Sequence, residues 1–473
     1  MADLVTQANT KFKILTNINK TIFRTYDIRG IVETELTPDA AYTIGLAFGT
    51  EAAEKNISTV IVGRDGRLSS PDLFEALTIG LMQTGCDVID IGIVPTPLLY
   101  FATQRLSSNT GIMITGSHNP VNYNGIKMVF DGVTVSTEGV ENLYNRIIKK
   151  EFTFTDKKNM THEEVIPDYI NFVCERIQLK KPLHIVIDSG NGMAALVAAK
   201  LYRKLGCRVD ELFGEVDGHF PNHHPDPTIP ENLKALIKTV KEKKAAIGLA
   251  FDGDADRLGV VTNQGEIIWP DKSLMLFAKH VLPKYPGASF VFDVKCSYNL
   301  PKVIKQYGGN PVMYRTGHSV LKKKMIELNC PVSGELSGHV FFKDRWLGFD
   351  DGIYVGARLL EILSGETRTS QEMFDEFPKT VNTPELKLYI DEDKKYGFMD
   401  RLVKEAKFPG GNVITIDGIR VEFPYGWGLV RPSNTTPCLT LRFEADSEKD
   451  LEKVEAIFRK ELLMLDKNLK LPF

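Results

Sequence analysis

The chain has 473 residues, 43% of them hydrophobic and 25% charged, an ordinary composition for folded protein and a length that suggests about three domains. Lysine and arginine number 58 against 61 aspartates and glutamates, so no global excess of charge points to nucleic acid or an anionic membrane, and anion binding has to be local. The six cysteines are scattered without a Cys-x-x-Cys pair, which argues against a zinc site or a secreted disulfide framework and predicts reduced thiols in a cytoplasmic protein.

The opening segment, MADLVTQANTKFKILTNINK, holds no continuous apolar core of signal-peptide length, and no stretch of about 18 apolar residues follows. Neither export nor membrane spanning is expected, and residues 1 to about 19 read as a loosely held polar tail. A strand, helix, turn, strand pattern then recurs. IVGRD, ending at Asp65, precedes a helical segment Pro71–Met82 and a strand after Gly85. IVIDS, around Asp188, precedes Met193–Leu205 and a strand after Gly206; FVFDV, around Asp293, precedes Tyr298–Tyr307 and a strand after Gly308. Each is a β-α-β signature, so three related mixed α/β domains are expected. Phe154–Glu164 and Thr262–Pro270 read as crossings between them. Beyond about residue 375 the pattern changes: Thr380–Ile390 and Val413–Phe423 read as strands, Tyr425–Pro437 as a loop, and Asp446–Leu465 as an amphipathic helix.

The next strand-like run of each repeat leads into an unusual loop. After Gly111–Ile114 comes TGSHNP, which sets Ser117 beside His118 and Asn119, with Lys127 a short segment on. A serine hydroxyl carries chemistry only when a base, a metal or a surrounding field activates it; taken alone, the hexapeptide is equally a Ser/Asn/Pro turn. Between Ala246–Phe251 and Leu258–Thr262 lies DGDADR, with Asp252, Asp254 and Asp256 at alternate positions. Carboxylates so close repel one another without a counter-ion, and a hard divalent cation, Mg²⁺ above all, suits an all-oxygen donor set that leaves room for a phosphoryl oxygen. An EF-hand would need Gly and Glu where Arg257 and Asn263 stand, and helical flanks; a solvated acidic turn is the plainer alternative. The third repeat ends in GELSGH at Gly334–His339. Loops beyond strand ends are where open α/β sheets bind ligands, so three such loops could serve one cleft as nucleophile, metal site and substrate reader. In the C-terminal part, Arg431, Ser433, Asn434 and Thr435 form a donor set suited to a phosphate, or an ordinary turn.

Together these residues resemble the α-D-phosphohexomutase superfamily, in its bacterial phosphomannomutase/phosphoglucomutase branch. The marks run in order along the whole chain: FRTYDIRG at Phe23–Gly30, GRDGR at Gly63–Arg67, TGSHNP, NGIKMV at Asn124–Val129, HHPDP at His223–Pro227, DGDADR, DVKCS at Asp293–Ser297, RTGHS at Arg315–Ser319, GELSGH and RPSNTTP. The resemblance implies four domains around a deep central cleft, with bounds at 1–162, 163–266, 267–378 and 379–473, the last a smaller α+β domain. It places the phosphoserine on Ser117 and Mg²⁺ on Asp252, Asp254 and Asp256 together with Ser117. It puts sugar recognition on Glu335 and Ser337 and a phosphate clamp on Arg431, Ser433, Asn434 and Thr435. Arg29, His118, Lys127, Arg257 and His339 fall on catalytic positions of the cleft, and Tyr26, Lys295 and His318 on substrate-binding ones.

The implied reaction moves a phosphoryl group between O1 and O6 of a hexose phosphate, with glucose or mannose as the sugar. A hexose 1,6-bisphosphate serves as intermediate and activator, and the enzyme is expected to be a monomer. A phosphoglucosamine mutase, a metal-dependent sugar-phosphate phosphatase and a sugar-phosphate-binding protein without turnover are the competing readings. Two positions depart from the family pattern. Thr436 stands where a glutamate usually follows, leaving the clamp loop without that carboxylate, and Ala255 replaces a glycine, which strains the backbone if that position needs a positive φ.

Overall fold

The structure, a computed structural model, describes residues 11–156, 158–433 and 436–473, and the chain divides into two compact units, one comprising the residues up to Ile267 with Phe349–Ser370 and the other Ile268–Gly348 with Gln371–Phe473. Among the described residues no helix is long and apolar enough to cross a membrane, and all six cysteines are free thiols.

The first unit holds two sheets. The larger runs in the spatial order Ile28–Ile31, Tyr123–Phe130, Gly111–Ile114, Thr59–Arg64, Asp87–Ile93, Met160–His162, with Val133–Thr134 beside Tyr123–Phe130. Thr59–Arg64, a β-branched run buried at its centre, lies parallel to Gly111–Ile114 and Asp87–Ile93, as strands covered on both faces by helices require. One face is covered by the helices Pro38–Glu54 and Ser70–Gln83, which bring Leu46, Phe48, Leu73, Leu77 and Leu81 onto Val60, Val62, Ile112 and Ile114, and the helix Thr96–Arg105 also packs on Thr59–Arg64 and Gly111–Ile114. Phe154–Glu164 is more than a crossing, because its Met160–His162 adds a parallel edge strand to Asp87–Ile93.

The expected loose tail is not observed where the chain is described. Ile18 is buried, and Phe12, Ile14 and Leu15 pack against the same core. The Lys13 N–H donates to Asp39 Oδ1 at 2.9 Å and the Leu15 N–H to Thr43 Oγ1 at 2.9 Å. The polar residues between them conceal apolar positions that one helix face receives, a pattern too irregular to show as a period.

The second sheet of this unit runs from the edge strand that starts at Ile267 through Leu258–Thr262, Ile247–Phe251 and His184–Asp188 to Arg208–Leu212. Ile247–Phe251 is parallel to His184–Asp188 and antiparallel to Leu258–Thr262, so the aspartate loop turns between antiparallel strands, not EF-hand helices. Thr262–Pro270 supplies the edge strand Ile267–Ile268. The helix Gly352–Gly365 belongs to this unit, with Asp351 capping its start; the Tyr169 hydroxyl donates to Asp351 Oδ2 at 2.9 Å and the Tyr202 hydroxyl to the Ile353 carbonyl at 2.9 Å.

The second unit also holds two sheets. Asn310–Tyr314, Ser289–Asp293, Val332–Gly334 and Val340–Phe342 form one. The other runs Val381–Asn382, Cys438–Ala445, Gly426–Pro432, Ile419–Phe423, Asn412–Ile414, with Leu386–Tyr389 also on Cys438–Ala445. Helix Glu448–Leu465 covers it, with Val454, Phe458 and Leu462 against Val421, Val430, Leu441 and Phe443. Three expectations change here. Thr380–Ile390 and Val413–Phe423 are each two short strands, and Tyr425–Pro437 is mostly strand, so Arg431 sits within a sheet, paired with Thr440.

Candidate active site

The serine loop follows directly from the strand Gly111–Ile114. Ser117 has φ 46°, a left-handed conformation costly for a non-glycine residue, and is 1% exposed. In that pose its Oγ donates to Asp252 Oδ2 at 2.8 Å and lies 3.2 Å from His118 Nδ1. The Ser117 N–H donates to Thr115 Oγ1 at 2.9 Å, and that hydroxyl donates to Asp254 Oδ2 at 3.2 Å. Burial first, then the charges of Arg257 and Arg29, push the His118 imidazole well below its ordinary range, so at neutral pH the ring is uncharged and has a nitrogen free of its proton.

Asp252, Asp254 and Asp256 are completely buried, and one carboxylate oxygen of each falls within 4.8 Å of the others. Burial, reinforced by Asp256 and Asp254, holds the Asp252 carboxyl well above the usual carboxylate range. Lys127, from the strand Tyr123–Phe130, reaches Asp254 Oδ2 at 2.7 Å and Asp256 Oδ2 at 2.5 Å. Burial works to deprotonate this ammonium, but Asp254 and Asp256 outweigh it and hold it well above the ordinary lysine range. Arg257 Nε stands 3.8 Å from Asp252 Oδ2 and 3.9 Å from Asp256 Oδ1. Thr96, at the start of the helix Thr96–Arg105, donates its hydroxyl to Asp254 Oδ2 at 2.5 Å and its N–H to the Asp254 carbonyl at 3.0 Å. Asp254 Oδ1 is buried with no hydrogen-bond donor among the described residues. An orphaned carboxylate oxygen inside an all-oxygen cluster fits a small hard cation. Ala255 has φ 61° and is fully buried, so the position does require a left-handed backbone. Arg29, on the strand Ile28–Ile31, donates to Asn119 Oδ1 at 2.8 Å and to Asp27 at 2.5 Å, with Tyr26 half-buried just before it.

In the second unit Glu335 Oε1 accepts the Gly317 N–H at 2.5 Å, and Oε2 accepts from Ser337 Oγ at 2.8 Å and lies 3.1 Å from His339 Nδ1. The His318 and His339 rings stack with centroids 5.2 Å apart. Burial would raise the Glu335 carboxyl, but the His339 hydrogen bond and the charges of His339, Lys295 and His318 bring it down to about 2. Lys295 is held by Glu385 at 2.5 Å. Arg431 pairs with Asp417 at 3.0 Å, and the same Asp417 oxygen accepts the Thr316 N–H at 2.9 Å. Ser433 Oγ lies 2.8 Å from Thr436 Oγ1, while buried Lys395 donates to the Ser433 carbonyl at 2.7 Å. Thr436 therefore braces the loop with a hydroxyl where the family pattern has a carboxylate. Asn434 and Thr435 lie outside the described residues.

The structure thus gathers Ser117, His118, Lys127, Arg257 and the three aspartates in one unit, and Glu335, Ser337, His339, His318 and Lys295 in the other. Thr96, Glu385, Asp417 and Lys395 escaped the sequence reading. Each acts through a partner distant in sequence, and only the acid-base complementarity of Lys295 with Glu385 and of Arg431 with Asp417 left a trace.

A buried serine hydrogen-bonded to one of three clustered carboxylates, on α/β domains, defines an enzyme of metal-assisted group transfer at a hydroxyl. The models of the phosphoglucomutase/phosphomannomutase alpha/beta/alpha domains I, II and III match residues 20–154, 167–265 and 269–381, and that of its C-terminal domain matches 384–461. The chain belongs to the phosphoglucomutase/phosphomannomutase family, and to the α-D-phosphohexomutases, with four domains where length alone suggested three. It is 51% identical over 452 residues to a phosphomannomutase/phosphoglucomutase of Pseudomonas aeruginosa, covering 96% of this chain and 97% of the relative. It is 50% identical over 448 residues to a phosphoglucomutase of Neisseria gonorrhoeae, covering 94% and 97%. A crystal structure of a phosphoglucomutase/phosphomannomutase family protein from Burkholderia thailandensis superposes with a TM-score of 0.92 at 47% identity, over 97% of this chain and all of that one.

Proposed function

We propose that this chain is a phosphomannomutase/phosphoglucomutase that interconverts hexose 1-phosphates and hexose 6-phosphates through a phosphoryl group carried on Ser117. The observation that carries this reading is the 2.8 Å contact of Ser117 Oγ with Asp252 inside the three-aspartate cluster, on a chain of that family. In the first half-reaction the P–O bond to Ser117 Oγ breaks as a bond forms to the free sugar hydroxyl. That hydroxyl gives up its proton, Ser117 takes one up, and a hexose 1,6-bisphosphate results. The bisphosphate then returns its other phosphoryl to Ser117, and a trace of glucose or mannose 1,6-bisphosphate keeps the serine charged.

Asp252, Asp254 and Asp256, with Ser117 through its phosphoryl, would hold Mg²⁺. Bound there, the ion supplies charge neutralisation for a phosphoryl group whose transition state is loose and anionic. Lys127 and Arg257, both cationic, offset charge beside the transferring group. His118, neutral and 3.2 Å from Ser117 Oγ, is the group to hold or give the serine proton. Lys127, kept protonated by its two aspartates, serves electrostatics in preference to base catalysis, and His339 serves the sugar reader in which it is hydrogen-bonded. Arg29 orders Asn119 in the serine loop. Glu335 and Ser337 read the adjacent O3 and O4 hydroxyls, which approximately exchange places when the hexose turns round, leaving C2 largely unread. Tyr26, Lys295 and His318 bind substrate, and Arg431, Ser433, Asn434 and Thr435 hold the phosphate that is not reacting. The assigned domains are 1–162, 163–266, 267–378 and 379–473, in a cytoplasmic monomer.

Incubation of glucose 1-phosphate with Mg²⁺ and a trace of glucose 1,6-bisphosphate tests the reading. Glucose 6-phosphate is the expected product; inorganic phosphate would make the protein a phosphatase, and no product a binding protein. Mannose 1-phosphate is expected to react with kcat/KM within about tenfold of glucose 1-phosphate, and glucosamine phosphates to be poorer. A glucosamine phosphate that outperforms both would replace this assignment with a phosphoglucosamine mutase.

A further inference from the structure

Arg67, the last residue of GRDGR, is 2% exposed. Its guanidinium is spent on backbone. Nη1 donates to the carbonyls of Pro120 at 2.7 Å and Tyr123 at 3.0 Å, and Nη2 to those of Ser117 at 2.9 Å and Asn119 at 2.6 Å. Three carbonyls of the serine loop and that of the first residue of the strand after it are thus gathered by one side chain from elsewhere in the sequence. Asp65 completes the clasp: its Oδ2 accepts the Gly116 N–H at 3.0 Å and stands 3.3 Å from Arg67 Nε, while Oδ1 accepts from the Arg67 N–H at 3.1 Å and from Ser70 Oγ at 2.5 Å. Charge-assisted bonds of this kind are roughly twice as strong as neutral ones, and the planar fork fixes direction as well as distance.

The loop needs such a clasp because Ser117 sits at φ 46°, a conformation that persists only where the surroundings over-determine it. Released, the backbone relaxes toward negative φ and carries Oγ away from Asp252. Gly116 reports how close the clasp lies: a Cβ built there would be 2.3 Å from Arg67 Nε and 2.4 Å from Cζ.

We propose that Arg67, backed by Asp65, is a positioning residue for the reaction, holding the carbonyls of residues 117, 119, 120 and 123 so that Ser117 Oγ is presented for phosphoryl transfer. The inference rests on Ser117 as the phosphoryl carrier. It predicts a defect in the transfer step with substrate binding retained, since both Arg67 Nη atoms are already engaged by backbone carbonyls around Ser117.

Two variants test it by different routes. Arg67→Lys keeps the charge but replaces the fork by a point ammonium; Gly116→Ala keeps the arginine and pushes its guanidinium aside. For native protein isolated by gel filtration, kcat is expected to fall about 100-fold in each, the effect of displacing a reacting group by about an ångström. KM for glucose 1-phosphate is expected to stay within about threefold, and labelling of Ser117 by glucose 1,6-bisphosphate to slow in parallel with kcat. In Arg67→Ala, added guanidinium is expected to restore at least about a tenfold part of the loss, which general destabilisation would not allow. Wild-type kcat in native Arg67→Lys or Gly116→Ala, or a loss residing in KM, overturns the proposal. Ser117→Ala run alongside separates the premise from the inference: turnover that survives there removes the carrier, whereas turnover lost there and kept in Arg67→Lys overturns the arginine's role alone.

Discussion

Ser117 and Ala255 both adopt positive φ, at 46° and 61°, on the two loops that meet at the aspartate cluster. Their strain differs in use. At Ser117 it aims a hydroxyl, so Ser117→Ala is expected to abolish most turnover while leaving substrate binding measurable, with intact mass showing loss of a phosphate in the variant. At Ala255 the methyl adds no chemistry. A left-handed alanine costs about 1–2 kcal/mol and the extra chain freedom of glycine returns about 0.5–1 of that, so Ala255→Gly is expected to raise stability by about 1 kcal/mol in denaturant titration. A loss of stability there would show that burial of the methyl outweighs the strain. The sequence disclosed the serine and the aspartates because their spacing is dictated by chemistry. It could not disclose Thr96, whose bond to Asp254 spans 158 positions, because that neighbour exists only once the sheets are assembled.

At the scale of elements, alternating short strands and helices were legible in each third, and the C-terminal strands were not. YGWGLVRP carries two glycines and a proline that read as a turn. In the structure Gly428 is where strand Gly426–Pro432 passes against helix Glu448–Leu465, and a Cβ there would lie 2.4 Å from Phe458 Cε2. Glycine in a strand interior marks such an approach. The consequence for Arg431 is rigidity: sheet hydrogen bonds and Asp417 hold it. Arg431→Ala is expected to raise KM for hexose phosphates by about ten- to a hundredfold, the value of a charged hydrogen bond of about 1.5–3 kcal/mol. An unchanged KM would return the segment to a purely structural role.

Over the whole molecule, the order of the motifs revealed the four-domain plan, whereas the docking of Phe12, Ile14, Leu15 and Ile18 on the first core was hidden in polar sequence. Global stability offers a separate test at Asp351, a buried carboxyl raised by desolvation to about 7 from the ordinary 3.8. The native chain holds this proton between those values while the unfolded chain releases it, so stability is greater at low pH and declines as pH rises toward 7. At about 1.4 kcal/mol per unit the whole effect is at most about 4 kcal/mol. Asp351→Asn, which can still accept from Tyr169 and Tyr354, is expected to gain stability over the wild type at pH 8 and to lose that advantage at pH 4; equal curves for the two proteins would refute the raised value.

Lys127 has a consequence for the chain's tolerance of metal loss. With an ammonium already lodged between Asp254 and Asp256, the cluster owns an understudy for the divalent ion we propose there, able to neutralise charge but unable to coordinate a phosphoryl oxygen. Survival and work then have different requirements. A chelator is expected to silence turnover while moving the unfolding temperature by only a few degrees, with added Mg²⁺ restoring the rate without a refolding step; in Lys127→Met, where the understudy is gone, chelation is expected to bring the unfolding temperature down as well.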